Sequence, residues 1–323
     1  MIKKYNIWLA YVSFPIAPAL YYERALKKNH NVITCGPNVP ESLMINWGLE
    51  SLQDKVKNLD ITREFSPDMT KFINKPMDLF LWVESVPGYF PLNMEKLKCP
   101  KAAYFIDSHL NLNWHIQWAP FFDYVFIAQK EYIPDFQKAG CLNVYWLPLA
   151  CDAEIHSKKT EIKEYDVGFV GTLVDKRRIE LTNKIHENFN IHYEKVFLDY
   201  MSSVFSKSKI VFNNAIKNDL NMRVFETMST GSFLLTDKAV GLEELFVDKE
   251  DLGIYEDDNI LEKIKYYLEH EKEREEIAKH GQKLVLNAHT YEHRCNELIK
   301  VSLEGKQSPP SAEEWREMSL LGV

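Results

Sequence analysis

At 323 residues, 46% of them hydrophobic, the chain is long enough to build two cores rather than one. Its net charge of −8 argues against a general nucleic-acid binder, which needs a basic surface to neutralise many phosphates. The five cysteines (Cys35, Cys99, Cys141, Cys151 and Cys295) are odd in number, widely spaced and lack a C-x-x-C. They exclude a disulfide framework and a regularly spaced zinc site, and predict buried thiols in a reducing cytoplasm.

Lys3-Lys4 ahead of the apolar residues 7–20 has the layout of a signal peptide, but Pro15 and Pro18 interrupt the run. Strand 5–11, helix 20–28 and strand 31–35 make a better parallel-sheet opening. No segment is apolar for long enough to span a bilayer. Residues 40–74 show no regular pattern. Continuous apolar runs at 78–83, 102–106, 124–128 and 143–147 predict strands covered on both faces. Polar groups follow them: Glu84-Ser85, Asp107-Ser108-His109 and Gln129-Lys130-Glu131. These are expected to gather at one sheet edge.

Residues 151–164, CDAEIHSKKTEIKE, are polar and without apolar period, and predict an interdomain linker. The α/β pattern then restarts with strand 166–170, helix 177–189, strand 191–196 and helix 199–208. After a central unit at 209–236 come strand 252–255 and helices 259–270, 272–286 and 291–303. A last helix, 312–321, opens on Ser311 as N-cap with Glu314 three residues on. Its apolar Trp315, Met318, Leu320 and Leu321 need a surface to cover: the first domain if the helix is a brace, a partner protein if it is a docking element.

The central unit carries the chemistry. Residues 209–212 form a strand, a polar loop follows, and Met222, Phe225 and Met228 share one face of a helix that Gly231 ends before a second strand, 232–236. A strand–helix–strand crossover puts a helix N-terminus at the carboxyl edge of a parallel sheet, a setting that attracts phosphate. Arg223 in the first turn adds a planar cation, and Glu226 lies three residues on. That pair suits a nucleoside diphosphate, Arg on the pyrophosphate and Glu accepting from ribose hydroxyls. The plain alternative is an i, i+3 surface ion pair. In VGFVGTLVDKRR, Gly168 and Gly171 flank a strand end ahead of Lys176, Arg177 and Arg178. Small residues there admit a ligand to the backbone and the cations face it, or the glycines make a turn and the arginines a solvated face. Asn213 and Asn214 end another strand, as base or phosphate readers or as turn formers.

NMRVFETMSTGSFLLTD resembles the carboxyl-terminal signature of the CgeB-like bacterial glycosyltransferases, and the similarity extends over residues 5–298. The resemblance implies an α/β, GT-B fold: two Rossmann-like domains with parallel sheets facing a central cleft. Residues 1–150 would be the acceptor domain, 151–164 the linker, 165–290 the nucleotide-sugar donor domain, and 291–323 terminal helices bracing the first domain. It implies a cytoplasmic enzyme of bacterial surface glycan or protein glycosylation, moving a sugar from a nucleotide-sugar to a glycan, lipid-linked or protein acceptor without a cofactor. Gly171, Arg177, Arg178, Asn213, Asn214, Asn218, Arg223 and Glu226 would hold the donor. In the wider retaining enzymes an E-x7-E motif places a first Glu where this chain has Asn218, with Asp219 adjacent. Asp107 and His109, after a strand of the first domain, are candidates for the base that an inverting transfer needs. Against that, Asp107 is placed to cap a helix, His109 and His115 to be buried, and Trp114, His115 and Trp118 to pack rather than stack on sugar. The rival functions are a sugar-nucleotide epimerase on the same scaffold and a non-catalytic nucleotide-sugar or glycan-binding partner of a larger assembly.

No D-x-D motif and no clustered His/Cys ligands occur in the sequence, so no metal is expected. Turnover should survive EDTA. Loss on chelation with recovery in Mg²⁺ or Mn²⁺ would overturn that expectation.

Overall fold

The computed structural model describes residues 3–61, 68–84 and 89–322. They form two compact units, Met1–Pro148 with Arg294–Pro309, and Leu149–His293 with Pro310–Val323. Ser85, one of the polar groups expected at a strand end, lies outside the described residues.

The first unit opens with β1 (Asn6–Ala10), α1 (Pro18–Asn29), β2 (Asn31–Cys35) and α2 (Glu41–Asn46). It continues with β3 (Leu79–Val83), β4 (Lys101–Phe105), α3 (Ser108–Trp118), β5 (Tyr124–Ile127), α4 (Ile133–Lys138) and β6 (Val144–Trp146). The six strands are parallel, in the order β2-β1-β3-β4-β5-β6. Ile7, Trp8, Leu9 and Ala10 are all fully buried, as a strand covered on both faces requires. Among the described residues of the featureless stretch 40–74 the chain makes α2 and two 3₁₀ turns, Glu50–Lys55 and Met69–Phe72. Single buried anchors, Met44, Leu49 and Met69, hold it, and irregularly spaced anchors leave no period to read.

The second unit contains β7 (Tyr165–Val170), α5 (Lys176–His186), β8 (Ile191–Glu194), α6 (Asp199–Lys207), β9 (Ser208–Phe212) and α7 (Met222–Ser229). After these come β10 (Phe233–Thr236), α8 (Leu242–Leu245), β11 (Gly253–Ile254), α9 (Ile260–Glu269) and α10 (Glu271–Ala288). Its parallel sheet has the order β11-β10-β9-β7-β8. Phe169, Phe212, Phe233, Tyr255 and Tyr267 dominate the core on one face of this sheet. Gly168 serves packing. A Cβ there would stand 2.0 Å from Ser208 Oγ, so the glycine lets β9 and the end of α6 close on β7.

Two expectations are corrected. Residues 151–164 are not a free linker but part of the second unit. Ser202 Oγ donates to Ile155 O (3.0 Å), Lys159 N donates to Ser206 Oγ (3.1 Å), and Lys163 Nζ donates to Ser208 O (2.7 Å). Hydrogen bonds to α6 and its C-terminal end hold this belt, so it carries no apolar period. The terminal helices also divide. In α11 (Tyr291–Leu303), the part from Arg294 belongs to the first unit, where Arg294 Nε donates to Pro148 O (2.7 Å) and Tyr5 Oη to Glu304 (3.0 Å). Helix α12 (Ala312–Leu321) instead packs on α10 and α8 of the second unit. Trp315 and Ser319, one turn apart, fit His289: the Trp315 and His289 ring centroids are 5.7 Å apart, and Ser319 Oγ is 3.1 Å from His289 Nε2. Asn287 Nδ2 donates to Ser319 O (2.9 Å) and Arg316 to Asp251 (2.7 Å). The capping box of Ser311 and Glu314 is present. Among the described residues no helix is long and apolar enough to cross a membrane.

Because Trp315 is fully buried, Trp315→Ala should destabilise the second unit by about 3–5 kcal/mol. Urea denaturation checks this, and an unchanged midpoint would mean that α12 adds nothing to that unit.

Candidate functional site

In an open parallel sheet, ligands bind at the carboxyl ends of the strands where the chain order reverses. In the second unit β7 is flanked by β8 on one side and β9 on the other, so the reversal falls between β7 and β9. Gly171 follows β7, Asn213 and Asn214 follow β9, and α7 starts a short loop later. Chain topology thus brings Gly171, Asn213, Asn214, Arg223 and Glu226 to one edge.

Arg223 lies against Gly171. A Cβ on that glycine would sit 3.5 Å from the guanidinium carbon and 3.0 Å from the Phe169 ring, so the absent side chain makes room for the arginine. Arg223 Nε is buried without a hydrogen-bond partner, and among the described residues the guanidinium forms no ion pair. The i, i+3 ion pair with Glu226 does not form. Burial holds Arg223 below its ordinary pKa, with Glu226 opposing the shift, yet guanidinium remains charged throughout the physiological range. A second cation stands nearby, since Arg223 also lowers the pKa of Arg178, whose largest depression comes from burial. The N-cap Asn221 side chain takes the Arg223 backbone N–H (3.1 Å), so the positive charge at this helix start comes chiefly from the side chain.

Arg178 and Arg177 are otherwise engaged. Arg178 donates to Asn214 O (2.7 Å), Thr172 O (3.1 Å) and Asn214 Oδ1 (3.4 Å), pinning the loop after β9 to the loop after β7. Arg177 reaches away, to Asp237 (2.6 Å) and to both carboxylate oxygens of Asp257 (2.6 and 2.8 Å). With Asn218, Asp237, Tyr255 and Asp257 it lines a cavity of about 420 Å³ beside the ends of β9, β10 and β11. Asn218 is exposed there at φ 61°, a left-handed conformation that Asn tolerates. Its backbone carbonyl accepts from Val240 N (3.1 Å).

Asp237, marked in the sequence only by its place after a strand, organises this edge. It accepts from Ala215 N (2.7 Å), Asn214 Nδ2 (3.1 Å) and Arg177. Burial raises its pKa, while Ala215 N–H and Arg177 oppose the rise. Asn213 donates through Nδ2 to Thr236 (3.0 Å), and its carbonyl accepts from Tyr255 Oη (3.1 Å).

Glu226 is 4% exposed, and among the described residues its carboxylate accepts no hydrogen bond. Its ionic neighbour is His156, with Nε2 3.5 Å from Glu226 Oε1. His156 comes from the belt read as linker, where a lone His in a polar run carries no signal. A nearly buried carboxylate that accepts no hydrogen bond and a partly buried guanidinium without an anion lie one helical turn apart at a switch point, an arrangement able to receive a ligand bearing both anionic oxygens and hydroxyl groups.

At the corresponding edge of the first unit, Asp107 ends β4 at φ 56° and occupies the N-cap position of α3 without capping it. Gln129 performs that duty, accepting from Ser108 N (3.0 Å). Thus the capping alternative for Asp107 fails. Glu84, buried at the end of β3, has its pKa pushed well above the carboxylate range by burial and by the charge of Asp107. His115 is fully buried against Ser108 (3.1 Å) and pushed down to about 3 by burial, so it stays neutral. The aromatic crowd packs: Trp118 stacks on Phe90 at 3.9 Å, and Trp114 meets Trp82 edge-on at 6.1 Å.

A family model described as "Glycosyl transferase-like" matches residues 161–300. No curated protein sequence matches the chain. Among solved structures, HepE of Anabaena, in complex with UDP and glucose, is 12% identical with a TM-score of 0.63, covering 92% of this chain and 99% of that one. A sucrose-phosphate synthase from Thermosynechococcus elongatus is 8% identical with a TM-score of 0.62, over 92% and 98%. A glycosyltransferase from Rickettsia africae is 10% identical with a TM-score of 0.62, over 94% and 99%. At such identities the likeness establishes the fold: two parallel-sheet α/β units of the GT-B glycosyltransferase type.

Proposed function

We propose that the chain is a nucleotide-sugar-dependent glycosyltransferase, binding its donor at the β7–β9 edge of the second unit and transferring the sugar to an acceptor hydroxyl. The observation that carries this reading is the Arg223–Glu226 arrangement, in which each charge is desolvated and neither is satisfied by the other. The family match to residues 161–300 and the UDP-glucose complex of the HepE structure support it.

In this reading the Arg223 guanidinium binds the diphosphate and stabilises the charge that develops on it as the glycosidic bond breaks. Arg178, already anchored to backbone carbonyls, adds to the local potential while fixing the two loops. Glu226 accepts hydrogen bonds from the ribose diol. Because Arg223 is preorganised against Gly171, charge stabilisation needs no reorganisation at the moment of transfer, and a metal ion is not required for it. Arg177, neutralised by two carboxylates, serves the architecture of the edge and not the phosphates. Asp107, released from capping by Gln129, is the general base of an inverting transfer, with His109 as the second choice.

A charge-assisted hydrogen bond contributes about 1.5–3 kcal/mol, so Arg223→Ala should weaken nucleoside diphosphate binding roughly ten- to a hundredfold. Isothermal calorimetry across UDP, GDP, dTDP and CDP measures this directly. A folded variant with undiminished affinity would remove Arg223 from the donor site.

Asp107→Asn keeps the side-chain shape and removes the base, so kcat should fall by roughly 10²–10⁴-fold with donor affinity intact. His109→Gln is the matched control. Products that retain the donor's anomeric configuration, or normal turnover by Asp107→Asn, would exclude Asp107 as the base.

A further inference from the structure

Of the residues around the proposed donor site, His156 alone comes from a segment with no strand or helix of its own. Its surroundings are built. Asp152 Oδ1 accepts from Glu154 N (3.0 Å) and Ile155 N (3.1 Å), and Asp152 O accepts from His156 N (2.8 Å). Asp152 N donates to His156 Nδ1 (3.1 Å), and Ser202 holds the carbonyl of Ile155. A ring nitrogen that accepts from a backbone N–H carries no proton, so the neutral ring has its proton on Nε2. Nε2 is the atom 3.5 Å from Glu226 Oε1, an electrostatic contact with no hydrogen bond between the two. The ring is completely buried and Glu226 nearly so. Burial lowers the His156 pKa, opposed by Glu226 and Asp152, so the ring presents a dipole to the carboxylate rather than a neutralising charge.

We infer that His156 is a positioning residue for Glu226, the positive N–H end of its ring facing one carboxylate oxygen and attracting it by charge–dipole interaction, so that the other is turned toward a ribose diol. The inference rests on the reading of Glu226 as the ribose acceptor. It gives the belt 151–164 a part in recognising the sugar of the nucleotide. A buried carboxylate otherwise has several rotamers open to it, and a directed N–H selects one before ligand arrives. A neutral donor suits the task, since a full positive charge at that place would compete with ribose hydroxyls for the anion.

The test compares UDP or GDP, whichever the wild-type chain binds more tightly, with its 2′,3′-dideoxy counterpart by calorimetry. The wild type should prefer the ribonucleotide, and Glu226→Gln should erase most of that preference. His156→Leu should cost roughly three- to tenfold of it, the effect of losing a buried dipole beside the carboxylate, while His156→Gln, which keeps an N–H donor, should restore part. In the wild-type chain, ¹⁵N NMR should find the His156 proton on Nε2 and a shift of that resonance with the ribonucleotide that the dideoxy compound does not produce. No wild-type preference for ribose would overturn the reading of Glu226 and this inference together. A preference lost in Glu226→Gln but intact in His156→Leu, or a proton found on Nδ1, would overturn the inference alone.

Discussion

The second unit depends on one buried carboxylate, Asp237, which sits at the end of β10 and gathers the chain's other crossings. By accepting from Ala215 N, Asn214 Nδ2 and Arg177 at once, it ties the loop after β9 to the start of α5. A charge this deeply placed is tolerable only when its lone pairs are filled and a cation is adjacent. Those conditions dictate the geometry of the edge: the loop after β9 must present an N–H and an amide, and α5 must begin with an arginine. Without Asp237, Arg177 would face only Asp257, and the turn that starts α7 would lose its anchor.

The same economy of charge separates the arginines by role. Arg177 is matched by two carboxylates and Arg178 by backbone carbonyls and the Asn214 amide. Arg223 is desolvated by Phe169, Gly171 and its own helix, with no acceptor supplied. Natural interiors satisfy buried polar groups almost without exception, and the exceptions mark places where a ligand completes the bonding. Arg223 Nε is one such exception, in the first turn of the helix that also carries the nearly buried Glu226. Their neighbourhood is positive near Gly171 and negative near His156, which matches the order of groups along a nucleoside diphosphate, phosphate next to ribose.

In the first unit Asp107 stands at the N-cap position of α3 without capping it. The left-handed backbone at a non-glycine residue stores strain, and the amide that would ordinarily justify it is capped by Gln129 instead. Beside it burial acts in opposite directions on Glu84 and His115, raising the carboxyl pKa and lowering that of the imidazole.

By itself the sequence determined the parallel sheets, because buried strands must be continuous apolar runs, and it determined that Arg223 and Glu226 share a face at a helix start, because a helix repeats every 3.6 residues. It also determined the capping box at Ser311, a purely local signature. Tertiary structure alone decided which cations are spoken for, since, Thr172 aside, the side-chain partners of Arg177 and Arg178 are 36 to 80 residues away. It likewise decided that 151–164 joins the second unit and that α12 covers α10. Hydrogen bonds to backbone carbonyls and a single Trp–His contact have no periodicity, and an element held by such contacts leaves no trace in a one-dimensional pattern. His156 illustrates the limit most sharply: its tautomer, its burial and its proximity to Glu226 all follow from where the chain folds back 70 residues later, a relation set by packing rather than by any local spacing.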